Sequence, residues 1–288
     1  MVRRFFFSSK YTQEGRYSNQ INHITGDVNF LALGLRGGKN ILTIHDLGHY
    51  DTLKERSALQ FFLYKLFWFK LPLKHVDMVT VVSKFTKRKL MEYFHFPEDK
   101  IRVIPDPVKP IFSFVKKEKI NSIPVILMMG TGKHKNLNNL IEATKDTGFH
   151  LDIIGWPTTD ELEKLDSYHI SHTVYNNLTD EEVYDRYIAC DVMFNASFYE
   201  GFGMPIIEAQ SVGRPVVASD IGAMMEIGYG SAILVDPHKP EEIRGSIVRL
   251  VTDKTSYDKI VELGRKNIRR YQYQNIARQY LAVYNELV

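Results

Sequence analysis

Nine short runs rich in Val and Ile, set apart by segments of helix length, constrain this chain more than any other feature. They are INHIT (21–25), NILTIH (40–45), MVTVV (78–82), IRVIP (101–105), VILMMG (125–130), HLDIIG (150–155), VMFNA (192–196), PVVAS (215–219) and AILVD (232–236). Most show no polar alternation. A strand that is apolar on both sides must be covered on both, and a parallel sheet flanked by helices does this. The intervening segments carry helix signals. SKFTKRKLMEYF (83–94), NLNNLIEATKDT (136–147) and TDEEVYDRYIAC (179–190) are of helix length. Ser83 and Thr179 are good N-caps, and Glu182 completes a capping box with Thr179. The repeated strand–helix–strand order predicts a doubly wound α/β architecture.

One stretch breaks the alternation. DPVKPIFSFVKKEKINS (106–122) has two prolines, a charge cluster and no period, which suits a linker. From 123 the pattern starts afresh. The expected organisation is a first lobe over 1–118, a second Rossmann-like domain over 119–270, and a C-terminal helical segment over 271–288.

Charge divides unevenly along the chain. Residues 1–118 hold 20 Lys and Arg against 11 Asp and Glu, whereas the remainder holds 17 against 23. Two readings stand: uneven solvated faces, or a basic lobe facing an anionic surface such as membrane headgroups or a phosphorylated acceptor. No apolar run is long enough to span a bilayer. The opening MVRRFFFSSKYTQEG has an apolar run too short for a secretory signal. Cys190 is the single cysteine, which excludes an internal disulfide framework and fits a reducing cytoplasm. The expectation is a cytoplasmic protein, membrane-associated on the cytoplasmic face if the basic lobe has that role.

FYEGFGMPIIEAQSVGRPVVASD (198–220) places Glu200 and Glu208 on either side of a Gly-Phe-Gly turn and a proline. It follows a predicted strand, and in open α/β sheets ligands bind beyond the carboxyl ends of strands. Gly201 and Gly203 let backbone come close to a ligand. Pro205 suits the first turn of a helix whose start, near 204–206, offers N–H groups and partial positive charge to a phosphate. Glu208, expected in that first turn, can accept two hydroxyl hydrogen bonds at once, as a ribose diol offers. By itself the E-x7-E spacing is loose and equally suits a surface loop with a capping glutamate.

The complete string resembles the signature of retaining glycosyltransferases of family 4, which have the GT-B fold. Their loop reads E-G-F-G-x-P-x-x-E-A and continues G-x-P-V-V-A-S. It is matched here by Glu200, Gly201, Phe202, Gly203, Pro205, Glu208, Ala209, Gly213 and the run Pro215–Ser219. MMGTGKHKNLNNLIEA (128–143) resembles the family's first strand and loop of the donor domain. TIHDL (43–47) resembles a strand end of the acceptor lobe that carries a histidine. The resemblance implies two Rossmann-like domains facing a cleft. Lys135 then grips the donor diphosphate. Gly130, Thr131, Gly201, Phe202, Gly203, Met204 and Pro205 line the donor site, and Glu208 holds the ribose. Glu200 and a neutral His45 attend the transferred sugar. Thr131 stands where the family often has arginine, so Lys133 or His134 is the candidate second cation. Gly155 is placed near the nucleotide. Asp106 and Pro107 replace the family's Asn-Gly, so that turn differs.

The activity implied is retaining transfer of a glycosyl group from a nucleotide-diphosphate sugar to a glycan, lipid-linked or small-molecule acceptor. No metal or other cofactor is implied, the nucleotide sugar being a co-substrate, and nucleic acid is not an expected partner. Family members begin with further strands and a Gly-rich loop, for which this chain has about twenty residues before INHIT. The first lobe is therefore expected to be incomplete. A partner chain covering the gap, or a nucleotide-sugar-binding remnant without turnover, are the alternatives this raises. FFLYKLFWFKLPLKH (61–75) interleaves aromatics and lysines at near-helical spacing. It reads as a buried amphipathic helix of the first lobe, or as an interfacial helix with snorkelling lysines. A metal-dependent hydrolase is disfavoured, since His23, His45 and His49 have no H-E-x-x-H context.

Overall fold

A computed structural model of the chain describes residues 20–35, 37–54 and 58–288. The opening stretch considered above as a signal lies outside the described residues. The chain divides into two compact units, residues 1–106 with 274–288, and residues 107–273.

The first unit contains β1 (Ile21–Ile24), β2 (Lys39–Ile44), β3 (Met78–Val81) and β4 (Ile101–Val103), all parallel and in that spatial order. Successive side chains of a strand point to opposite faces. Leu42 and Ile44 accordingly face one layer of helices, with Val79, Val81, Phe69, Leu73 and Leu90. Ile41, Met78 and Ile104 face the other side, where they meet Ile276 and Val283. The inner layer includes α1 (Ala58–Tyr64), which runs on through a π-helical stretch, Lys65–Lys70, and also α2 (Lys84–Phe94). Ser83 caps α2 by accepting a hydrogen bond from the Thr86 N–H. Of the two readings of 61–75, the core reading holds for its inner face. Phe69, Pro72 and Leu73 are buried, and the Trp68 indole N–H donates to Asp27 at 2.7 Å.

The second unit contains β5 (Val125–Met129), β6 (His150–Ile154), β7 (Ser171–Tyr175), β8 (Val192–Asn195), β9 (Val216–Ser219) and β10 (Ile233–Val235). Their order is β10-β9-β8-β5-β6-β7, all parallel. The chain enters at the centre with β5, winds outward to β7, then returns to the other side of β5 and winds outward again. The direction reverses between β5 and β8. At such a switch point the loops leaving the two strands diverge to opposite faces and open a crevice at the carboxyl end of the sheet. β7 is absent from the runs picked out in the sequence. It is an edge strand, partly exposed along its length, so SHTVY carries polar residues that an inner strand would not.

The supposed linker belongs to this second unit. Phe112 is buried, the Val115 N–H donates to the Val212 carbonyl at 3.1 Å, and Lys117 pairs with the buried Asp191 at 3.0 Å. Its lack of period reflects an extended segment held by its own contacts. Another anchor was hidden in the variable position of G-x-P. Arg214 is 1% exposed, and its guanidinium donates to the carbonyls of Val115, Ile188, Val212 and Gly213. A buried guanidinium needs such acceptors, and these four serve its two terminal nitrogens, while Nε has no partner among the described residues.

Candidate active site

The two loops that leave β5 and β8 meet at the switch point. After β5 the chain turns at Gly130, with φ of 82°, and makes a short 3-10 turn, Lys133–Lys135. A Cβ on Gly130 would come within 3.1 Å of the Lys135 Cε, so the glycine gives the lysine stem room to fold back. Lys135 reaches the loop after β8, where its Nζ lies 2.6 Å from Glu200 Oε1. The Ser197 hydroxyl donates to the same oxygen at 2.9 Å. Both charged side chains are largely buried, at 19% and 14% exposure, so the pair is far less screened than a surface one. Asn136, the N-cap of α3 (Leu137–Thr144) with φ of 71°, donates its amide to the carbonyls of Ala196 and Pro237. The bond to Ala196 ties the β5 loop to the β8 loop, and the bond to Pro237 ties it to the segment after β10.

Helix α5 (Met204–Val212) follows directly. Gly203 forms its N-cap with φ of 109°, a conformation other residues rarely adopt. Pro205 has no N–H, and the Ile206 N–H is turned back onto the Gly203 carbonyl at 3.0 Å. The fan of donors expected over 204–206 therefore narrows to Met204. Phe202 is 4% exposed and packs edge-on against Tyr271, so its side chain anchors the loop. Asn195, at the end of β8, is buried beside Gly203. Its amide nitrogen has no hydrogen-bond partner among the described residues, a costly arrangement.

Glu208 is the fifth residue of α5 and lies in its second turn, one turn deeper than expected, because the helix already begins at Met204. It is 8% exposed and accepts a 2.9 Å hydrogen bond from the hydroxyl of the wholly buried Tyr187, on α4 (Asp180–Ala189). Burial pushes the Glu208 carboxyl above the usual carboxylate range. The Tyr187 hydrogen bond and the charges of Lys109 and Lys135 oppose that shift, while Asp180 adds to it. Lys135 thus acts electrostatically on both acids of the motif. Thr131 accepts a hydrogen bond from the Trp156 N–H at 2.8 Å, and a Cβ on Gly155 would meet Thr131 at 2.9 Å. Thr131 therefore braces the loops after β5 and β6, and Gly155 is what allows that approach.

His45 lies in the first unit, at the end of β2. Its Nε2 donates to the Thr25 carbonyl at 2.8 Å and its Nδ1 lies 3.4 Å from Asp106 Oδ2. Both nitrogens face acceptors, which suits an imidazolium. The Asp106 carboxylate, partly offset by burial, raises its pKa to about 9. The neutral form expected from the sequence is thereby corrected to a charged one, and the cause is the aspartate that replaces the family's asparagine in the turn. Among the described residues, no three His, Cys, Asp or Glu side chains converge as a metal site. No helix of the described residues is long and apolar enough to cross a membrane.

Tyr187, Asn195, Ser197 and Asp106 were not picked out as site residues in the sequence. The structure brings Lys135, Ser197 and Glu200 into direct contact and joins Glu208 to Tyr187.

Comparison with known proteins agrees with this fold. The chain is 24% identical over 239 residues to the O-antigen chain mannosyltransferase B of Escherichia coli, an alignment covering 75% of this chain and 62% of that protein. It is 31% identical over 225 residues to the MMP alpha-(1->4)-mannosyltransferase of Mycolicibacterium hassiacum, covering 74% and 54%. With the probable sucrose-phosphate synthase 4 of Oryza sativa it shares 29% identity over 199 residues, covering 64% and 19%. The chain thus spans from about a fifth to three fifths of the length of these relatives. Among solved structures, sucrose-phosphate synthase from Thermosynechococcus elongatus superposes with a TM-score of 0.80 at 20% identity, covering 98% of this chain and 77% of that one. Anabaena HepE in complex with UDP gives 0.80 at 17% identity, covering 97% and 82%. These two likenesses establish the α/β GT-B fold. The family profile described as Glycosyltransferase Family 4 matches residues 21–110, and that described as Glycosyl transferases group 1 matches residues 112–267. With more than half of its length accounted for by the second profile, the chain belongs to the glycosyl transferases of group 1.

Proposed function

We propose that this protein transfers a hexosyl group from a nucleotide-diphosphate sugar to an acceptor hydroxyl with retention of anomeric configuration. The observation that carries the reading is the Lys135–Glu200 pair set across the switch point, with Glu208 buried on the helix that follows. HepE, which resembles this chain in fold, was determined with UDP and with UDP-glucose, which supports a uridine nucleotide as the first donor to test. The relatives named as mannosyltransferases make mannosyl donors the second.

In this reading Glu208 accepts hydrogen bonds from the ribose diol. Lys135 has three N–H donors, so it can keep its bond to Glu200 and still bind a diphosphate oxygen. As the glycosidic bond breaks, the leaving diphosphate gains negative charge, and the ammonium and the α5 N-terminus stabilise it. Glu200, held by Lys135 and Ser197, orients the sugar and stabilises positive charge developing at the anomeric carbon. The acceptor hydroxyl attacks from the side the diphosphate leaves, and a departing phosphate oxygen takes its proton. No step uses a metal ion.

The test is a screen of nucleotide sugars for binding and turnover, followed by NMR assignment of the product anomer. Glu208→Ala is expected to weaken donor binding, and Glu200→Gln to lower turnover more than binding. An inverted product, or negligible effects from both changes, refutes the proposal. Donor binding without turnover in any acceptor mixture supports the remnant reading instead.

A further inference from the structure

One face of the first unit joins two features that the donor site does not use. Leu59 and Phe62 on α1 are 68% and 59% exposed, unusual for large apolar residues so close together. Steps of three and then four residues lead from them to Leu66, Lys70 and Lys74. Through the wider π-helical turn of Lys65–Lys70, steps of four keep the same side of the helix. Leu66 is partly exposed, and Lys70 and Lys74 are exposed. Phe69 and Leu73, on the adjoining side, lie in the core. The helix therefore presents an outer ridge that is apolar at one end and cationic at the other.

At the cationic end the ridge borders a groove of about 450 Å³. Lys70, Lys74, His95 and Lys100 stand around it, and Leu73, Val76, Phe94 and Phe96 contribute apolar lining. No lining residue is acidic. Of the nearby carboxylates, Glu98 is engaged by Lys87 at 2.9 Å, and Asp99 precedes Lys100. Phosphate-bearing headgroups suit the lysines, while exposed Leu and Phe side chains suit the acyl boundary beneath such headgroups. A soluble phosphorylated ligand would use the lysines and leave Leu59 and Phe62 in water.

We propose that this face docks on an anionic lipid bilayer, the lysines meeting the headgroups and the Leu59–Phe62 end entering the interface. The surface binds peripherally and independently of catalysis.

The experiment is co-sedimentation of the full chain with phosphatidylcholine vesicles with and without phosphatidylglycerol. Binding is expected only with the anionic lipid, and it should weaken as salt rises. Each lysine near such a surface is worth about fivefold in partition, so Lys70→Glu with Lys74→Glu should lower binding roughly 25-fold or more. Leu59→Ser with Phe62→Ser should lower it at least about tenfold. Unchanged circular dichroism melting of both double variants excludes unfolding as the cause, since all four residues are exposed. Failure to bind anionic vesicles at low salt overturns the proposal. So does equal binding to neutral vesicles, or binding that survives both double variants. The readout needs no turnover, so it is separate from the test of the transferase reading.

Discussion

Tyr187→Phe isolates one contact in the proposed donor site. The change removes a single hydroxyl, which gives Glu208 a 2.9 Å hydrogen bond inside the protein. Burial already raises the Glu208 carboxyl, and this bond is the largest influence opposing it. Without it the carboxyl titrates higher still, so less of it is ionised at neutral pH. A protonated carboxyl forfeits a charge-assisted bond to the ribose, worth about 1.5–3 kcal/mol. At about 1.4 kcal/mol per decade, donor KM should rise, by about tenfold where the carboxyl is fully protonated. Turnover number should stay within roughly threefold, because the ribose is remote from the bond that breaks. The sign with pH follows. A carboxyl of higher pKa protonates earlier as pH falls, so the variant should lose donor affinity at a higher pH than the unaltered protein. Steady-state kinetics with the preferred nucleotide sugar and its 2′-deoxy analogue would measure this. The variant should discriminate less between the two. Unchanged affinity for the ribose form in a well-folded variant, or equal losses for both donors, would refute the role given to Glu208 and Tyr187.

Three further outcomes are expected. Lys135→Ala removes the cation proposed to neutralise the leaving group and should lower kcat by about 10²–10³-fold, measured in the same assay. Gly203→Ala forces a side chain onto a φ of 109°, with its Cβ 3.2 Å from Ile206 Cδ1, and should destabilise the protein by about 1–3 kcal/mol in thermal or urea unfolding. Asp106→Asn tests the His45 pair, whose folded pKa of about 9 exceeds the ordinary 6.5. The stability it confers is complete below about pH 6.5 and is lost as pH rises through about 9. The histidine side chain is 41% exposed and the contact is 3.4 Å, so the difference should be no more than about 1 kcal/mol. The variant should therefore melt about 2 °C lower at pH 6 and together with the unaltered protein above pH 9.

The layered architecture was legible because inner parallel strands are apolar on both faces, and most of the nine runs picked out in the sequence carry that mark. β7 escaped because an edge strand can be polar. The glycines and proline of the β8 loop were legible because each imposes a local backbone shape. Contacts made by the fold itself were not. Lys135 and Glu200 are 65 residues apart in sequence and meet because β5 and β8 are neighbours. Tyr187 looks like an ordinary aromatic of an amphipathic helix, and its partner is set by the packing of α4 beside α5. Asp106 was noticed as a departure in a turn, yet its effect on His45 depends on two chain segments converging at the end of the sheet.

The helix Tyr273–Leu287 covers Ile41, Met78 and Ile104, yet it is made some 170 residues after the last of them. During synthesis the first sheet must therefore wait with one oily side bare while the whole second unit is translated. The second unit can finish folding before the first, although most of the first is translated earlier. Nascent chains cut before residue 274 should be sticky and chaperone-dependent, for want of a lid that the ribosome delivers late.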